Sequence, residues 1–323
     1  MEQLADIKKR MKSVRSVQKI TKAMELISSV KSRQSKRLYA RAVPFFSHCA
    51  TTLLDMLVEE PEFHTDLIEF REKHPGDSWN VLAFVLTSDK GLAGTYNQDV
   101  VEAARRVIDR RTKELLEKNL KPQFEIKVAG RVGRETLQNQ GYVIDTQFSY
   151  SIDNPDYYDA SDLTELILSV YREGKYDEVY MIYTRMLSPL VRDPLYIRLL
   201  PVDVSGLKYI YAALKDNPEV KEFMPEDHFE EGKVLDFRYP EDIDAMLEYL
   251  FSTTLSGLVY GALTEAYVSE QTARMTSMNN ASRNSNELLE DLTKQRNALR
   301  QTQITTELNE IVSGAAGIDD NRR

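Results

Sequence analysis

The stretch Leu4-Ala5-Asp6-Ile7-Lys8-Lys9-Arg10-Met11-Lys12-Ser13-Val14-Arg15-Ser16-Val17-Gln18-Lys19-Ile20-Thr21-Lys22-Ala23-Met24-Glu25-Leu26-Ile27 decides the architecture. Apolar residues at Leu4, Ile7, Met11, Val14, Val17, Ile20, Met24 and Ile27 recur every three or four positions, which predicts a helix with one committed face. No glycine interrupts the chain as far as Val58, and Pro44 is the only proline. At ~1.5 Å per residue such a helix reaches roughly 80 Å, with a bend expected near Pro44. Globular helices average about 11 to 12 residues, so one this long needs a comparably long partner. Its spacing departs from a clean heptad and predicts irregular local supercoiling.

The partner lies at the other end. Tyr239-Pro240-Glu241-Asp242 reads as a helix start, with proline tolerated in the first turn and acids favouring the positive end of the dipole. No further proline occurs up to Val312, and Gly257 and Gly261 are the only glycines before Gly314. Leu288, Leu292 and Leu299 continue an apolar seam that Leu308, Ile311 and Val312 close. The two ends together predict a long antiparallel coiled coil of the N- and C-terminal helices.

Between them the texture changes. Trp79 to Thr87 is a short apolar run, as in a buried strand, and Phe124–Ala129, Tyr142–Phe148 and Glu178–Thr184 read as three more. Helical stretches are expected around Val100–Glu117, near Glu135–Asn139, and from a cap at Ser161 to about Glu173. This alternation predicts an α/β domain with a mainly parallel sheet. The domain plan is therefore a first long coiled-coil helix over 1–58, an α/β domain over 79–201, a surface insertion or linker over 202–238, and a second long coiled-coil helix over 239–323. Within the linker, Ser205 to Val234 is acidic and poorly periodic.

The net charge of −9 conceals an asymmetry. From Met1 to Arg41 twelve basic residues face only Glu2, Asp6 and Glu25, so one end is strongly cationic within an acidic protein. That leaves a solvated basic face or an anionic partner. Nucleic acid is disfavoured, because the apolar stripe runs through the basic stretch itself and commits one face to packing. No run approaches the roughly 18 to 20 apolar residues that span a bilayer, and the N-terminus lacks signal or transit composition. Cytosolic synthesis is expected, with membrane attachment through partners. Cys49 is the single cysteine, so no intrachain disulfide forms, and the four histidines show no metal-binding spacing.

The glycine turns are structural by their pattern. Gly91-Leu92-Ala93-Gly94 and Gly130-Arg131-Val132-Gly133 match neither a P-loop nor a dinucleotide fingerprint. Gly257 and Gly261 suggest close approach of another backbone, and the neighbouring Glu248, Glu265 and Glu270 argue against a membrane helix. No triad, carboxylate pair or Cys-His arrangement nominates a catalytic residue, and no cofactor is implied.

Three stretches carry a family resemblance. Ile20-Thr21-Lys22-Ala23-Met24-Glu25-Leu26-Ile27, preceded by Asp6-Ile7-Lys8-Lys9-Arg10, is similar to the start of the gamma subunit of F-type ATP synthases. Thr87-Ser88-Asp89-Lys90-Gly91-Leu92-Ala93-Gly94-Thr95-Tyr96-Asn97 resembles its first strand and turn. Ser269-Glu270-Gln271-Thr272-Ala273-Arg274-Met275, followed by Ile304-Thr305-Thr306-Glu307-Leu308-Asn309-Glu310-Ile311-Val312-Ser313-Gly314-Ala315-Ala316, resembles its C-terminal helix. The resemblance covers both long helices and the front of the middle domain, which it implies is Rossmann-like.

It implies a non-catalytic rotor stalk, one copy per complex, coupling an ion-driven membrane ring to the catalytic head. The implied partners are the alpha and beta subunits of an alpha3beta3 ring, an epsilon subunit and the membrane c-ring. The implied location is the cytoplasmic side of a bacterial plasma membrane. Ring contacts are implied for Arg274, facing an acidic loop in a partly exposed pair, and for Met24 opposite it. Gln301, Thr305 and Glu307 are implied at an upper catch, and Leu308, Ile311 and Val312 at an apolar tip in its bearing. Ala93 stands where many relatives have cysteine, and Gly317–Arg323 extends the usual ending. The lone Cys49 excludes the dithiol switch of chloroplast relatives.

Overall fold

A computed structural model describes residues 4–59, 65–186, 188, 191–203, 206–207 and 243–320. The expected helix start at Tyr239–Asp242 and nearly all of the Ser205–Val234 segment lie outside these residues. The chain divides into two compact units, Met1–Ile27 with Arg274–Arg323, and Ser28–Ala273.

Two long helices bracket the sequence, α1 over Leu4–Glu59 and α5 over Ile243–Asp320. Helix α1 continues through Pro44, which removes one backbone donor without ending the element. In the first unit Ile7 and Met11 of α1 pack with Leu292 of α5, and Val14, Leu289 and Leu299 flank them. Further along, Gln18 Nε2 donates to Asn286 Oδ1. Rising numbers on α1 thus meet falling numbers on α5, and the helices run antiparallel.

The expected stripe on α1 is corrected here. Val17, Ile20 and Ile27 are exposed, whereas Thr21 is buried. The inward positions of this unit, Leu4, Ile7, Met11, Val14, Gln18, Thr21, Met24 and Glu25, include three polar side chains, so the buried face is not the apolar stripe alone.

The second unit is built on a four-stranded sheet, β1 (Ser78–Leu86), β2 (Lys121–Ala129), β3 (Glu178–Met186) and β4 (Arg192–Leu200), in the order β2-β1-β3-β4. β1 pairs in parallel with β2 and β3, and β4 is antiparallel to β3. The sheet is mixed, and β4 was not foreseen. Tyr142–Phe148 is no strand: only Ile144 bridges to Ile126, at the sheet edge. The helices around the sheet include α2 (Tyr96–Glu117), α3 (Arg131–Asn139) and α4 (Tyr157–Arg172). Asp156, not Ser161, caps α4, in a reciprocal capping box with Asp159.

Alternate residues of β1 serve opposite faces. Ala83 and Val85 join α2 and Leu137 of α3, while Leu82, Phe84 and Leu86 join α1, α4 and α5. A strand covered by helices on both sides must be apolar throughout, which is why β1 was legible as a continuous run.

On α1 of this unit, Ser28, Ser32 and Ser35 are buried, and Ser32 Oγ lies 3.2 Å from Thr272 Oγ1 of α5. Farther along, Gly257 and Gly261 admit aromatic rings rather than backbone. A Cβ on Gly257 would lie 2.6 Å from Cγ of Phe46, and one on Gly261 2.6 Å from the Tyr39 hydroxyl. Gly257→Val should therefore lower the stability of the purified chain by about 1 to 3 kcal/mol through overpacking, measured by urea denaturation. Parental stability would show that Phe46 yields freely.

Candidate functional site

The glycine turn after β1 is folded by its own polar groups. Asn97, in the first turn of α2, accepts the Ser88 N–H at 2.9 Å and donates to Ser88 Oγ at 2.8 Å. Gly94 at φ 60° and Leu92 at φ 66° give the reversal. Gly130, at φ 90°, has room for no side chain, since a Cβ would lie 2.2 Å from the Thr87 carbonyl oxygen. The Gly133 N–H donates to Thr87 Oγ1 at 3.2 Å. The first glycine motif thus supplies a left-handed turn, and the second a close approach to Thr87.

In an open sheet with this winding a ligand ordinarily sits outside the carboxyl ends of β1 and β3, where the connections diverge to opposite faces. Here α5 occupies that crevice. Ser269 Oγ donates to the Thr184 carbonyl at 2.8 Å, and Ala273 packs with Ala93, Tyr96 and Val85. Among the described residues no cluster of His, Cys, Asp and Glu is arranged to hold a metal.

One half-buried acid stands out in this unit. Burial pushes the Glu265 carboxyl of α5 up to about 7, although Arg185 and the Tyr183 hydroxyl draw it down. Its unfolded counterpart ionises near 4.5. Between these values the unfolded chain binds fewer protons, so stability falls as pH rises, at about 1.4 kcal/mol per unit at most. Glu265→Gln should flatten that slope between pH 4.5 and 7 and leave the variant more stable than the parent at pH 8. Denaturation curves across this range check it, and an unchanged slope would acquit Glu265.

The surfaces able to meet partners lie on the long helices. On α1 the basic side chains Lys8, Lys9, Lys12, Arg15, Lys19 and Lys22 are all exposed. Val17, Ile20, Leu26 and Ile27 lie exposed among them, a mixed basic and apolar surface that the inward reading of three of these residues had missed. In the second unit Val30, Arg33, Gln34, Arg37, Leu38 and Arg41 line a shallow groove of about 410 Å³ on the same helix.

The residues singled out by resemblance separate into two groups. Gln301, Thr305, Glu307, Leu308, Ile311 and Val312 share one exposed stretch of α5, and residues 300–312 are exposed on every face. Thr305 Oγ1 donates to the Gln301 carbonyl at 2.9 Å, and Gln303 Nε2 to Glu307 Oε1 at 2.9 Å. Leu308 is 56 % exposed and Ile311 67 %. Met24 and Arg274 differ: Met24 is half-buried on α1, and Arg274 is only 5 % exposed. The partly exposed arginine expected at 274 is instead enclosed by its own chain.

Among the described residues no helix is long and apolar enough to cross a membrane. A family profile described as ATP synthase matches residues 3–318. The ATP synthase gamma chain of Ruminiclostridium cellulolyticum is 32% identical over 318 residues, covering 98% of this chain and 99% of the relative. That of Caldanaerobacter subterraneus is 34% identical over 313 residues, covering 96% and 98%. The sodium ion specific gamma chain of Acetobacterium woodii is 30% identical over 318 residues, covering 98% and 99%.

The fold is shared with a chain of the Euglena gracilis mitochondrial ATP synthase, OSCP/F1/c-ring in rotational state 3. Its TM-score is 0.57 at 13% identity, covering 99% of this chain and 96% of that one. A chain of the Tetrahymena thermophila mitochondrial central stalk and c-ring gives 0.53 at 20% identity, covering 81% and 99%. With a profile and several relatives matching along nearly its whole length, this chain belongs to the ATP synthase gamma-chain family.

Proposed function

We propose that the chain is the central rotor stalk of an F-type ATP synthase and transmits torque between an ion-driven membrane ring and an alpha3beta3 catalytic head. The observation that carries this reading is the uncovered stretch 300–312 of α5 in a chain that aligns end to end with gamma chains. A helix with Ile304, Leu308, Ile311 and Val312 all open to solvent calls for an enclosing partner. On this reading catalysis and nucleotide belong to the ring, and the crevice closed by α5 leaves the α/β domain a structural body.

The proposed division is a coiled-coil shaft from 1–58 and 239–323, a Rossmann-like domain over 79–201 and a connecting insertion over 202–238. The antiparallel packing of α1 on α5 supports the coiled coil, and the parallel β2-β1-β3 core supports the domain type. The exposed basic side chains of α1 suit acidic loops of the ring, because surface pairs of about 0 to 1 kcal/mol break and remake as the stalk turns. Met24, Arg274, Gln301, Thr305, Glu307, Leu308, Ile311 and Val312 are the proposed ring contacts. An epsilon subunit and the c-ring would hold the other end, in one copy per complex, on the cytoplasmic face of a bacterial plasma membrane.

Gentle purification of the tagged chain from its own cells tests the reading. Alpha and beta subunits at three copies each per chain, with ATPase activity, are expected; a lone chain would overturn it. Although Arg274 is enclosed in the free chain, its proposed ring contact predicts that Arg274→Ala changes assembly or ATP-driven ion pumping while the Ser28–Ala273 unit stays folded. Unchanged pumping in membranes carrying the variant would remove Arg274 from the set.

A further inference from the structure

A second surface, of opposite charge to α1, lies in the Ser28–Ala273 unit. An array of aromatic rings runs outward from its core. Tyr260 and Phe46 are buried with centroids 6.3 Å apart, Phe46 meets Phe45 at 5.5 Å and Tyr157 at 5.8 Å, and Tyr157 meets Tyr158 at 6.1 Å. The outer members are open, Phe45 at 53 % and Tyr158 at 77 % exposure. Tyr157 and Tyr158, neighbouring rings left in water at the start of α4, are unexplained by packing, since Phe46 and Tyr260 already fill the interior.

The charge around them has one sign on the α4 side. From Asp153 to Tyr171 the chain carries Asp153, Asp156, Asp159, Asp162 and Glu165 and not one lysine or arginine. All five carboxylates are exposed. Asp153 is held by Lys31 at 3.1 Å, and Asp156 and Asp159 cap the helix. Among the described residues no basic side chain pairs with Asp162 or Glu165.

Open aromatic faces beside unpaired carboxylates are the combination that binds a guanidinium, whose plane stacks on a ring while its edge donates to a carboxylate. We infer that Tyr157 and Tyr158 with Asp162 and Glu165 form a docking surface for an arginine-bearing loop of another protein subunit. A lipid surface is the wrong occupant, because anionic headgroups are repelled by these five acids. The inference rests on the rotor-stalk reading for its partner complex and goes beyond it in giving the chain a second, acidic interface. The chain would then meet an acidic partner through α1 and a basic one through α4.

The test places the photo-cross-linker p-benzoylphenylalanine at Tyr158 in the full chain and irradiates the purified, assembled complex. The expected product joins Tyr158 to a segment of a different subunit with an arginine within a few residues of the link. In a second arm, Asp162→Asn with Glu165→Gln should lower the yield of that product about tenfold, as loss of a charge-assisted contact does. Products confined to this chain, to a second copy of it, to lipid, or to a segment lacking arginine would overturn the inference, as would a yield indifferent to the two acids. Co-purification of alpha and beta subunits in every variant keeps failure here distinct from failure of the stalk reading.

Discussion

Arg111→Met should destabilise the chain by about 3 to 5 kcal/mol, the cost of leaving a buried carboxylate without its partner. Glu178, at the start of β3, has no exposed surface. The Arg111 guanidinium reaches it from α2 in a two-pronged contact, Nε at 2.9 Å from Oε2 and Nη2 at 2.7 Å from Oε1. Its remaining edge donates to Glu114 at 2.7 Å. Although burial draws the guanidinium down, the two carboxylates hold it above its ordinary value. Methionine keeps most of the volume and none of the charge. The double change Arg111→Met with Glu178→Met should recover much of the loss, because a packed apolar pair replaces a desolvated ionic one without an orphan. Guanidinium denaturation of both variants decides: a single-variant loss below about 1 kcal/mol would mean that water or another cation reaches Glu178.

Leu308→Asp should leave the isolated chain as stable as the parent and yet reduce ATP-driven ion pumping of the assembled complex about tenfold or more. The first half follows from its exposure of 56 %, since a carboxylate there stays in water. The second follows from the proposed bearing, where the same carboxylate would be enclosed unpaired at a cost of several kcal/mol. Thermal unfolding of the chain and pumping by reconstituted complex are the two readouts. Equal pumping would sink the bearing; an equal fall in the chain's own stability would make the residue structural.

The long helices and the buried strand were readable because their patterns are dense. Nothing between Leu4 and Val58 breaks a helix except Pro44, and β1 is apolar on both faces because helices cover both. The inward face of α1 was misassigned for a physical reason. Gln18, Thr21, Ser28, Ser32 and Ser35 occupy the seam, and a rule that equates inside with apolar passes over them. Val17, Ile20 and Ile27 were assigned inward by the same rule.

Strand β4 was missed because its sequence, Arg192-Asp193-Pro194-Leu195-Tyr196-Ile197-Arg198, carries charges and a proline that only an edge strand tolerates. Ser161 was expected as the cap, yet Asp156 stands three residues before Asp159, the acid that returns the bond. Among the proposed contacts, Leu308, Ile311 and Val312 are exposed, whereas Arg274 is buried, an enclosure with no local signature in the sequence.

The solvent-facing apolar side chains have a cellular consequence. Val17, Ile20, Leu26 and Ile27 on α1, and Ile304, Leu308, Ile311 and Val312 on α5, remain uncovered in the free chain. A newly made copy that finds no partner therefore carries adhesive surface on helices that are already folded, and waiting does not hide it. Such a subunit is safest when made in step with its partners and cleared promptly when in surplus. Synthesis dosage and quality control thus bear on this chain as directly as its fold does.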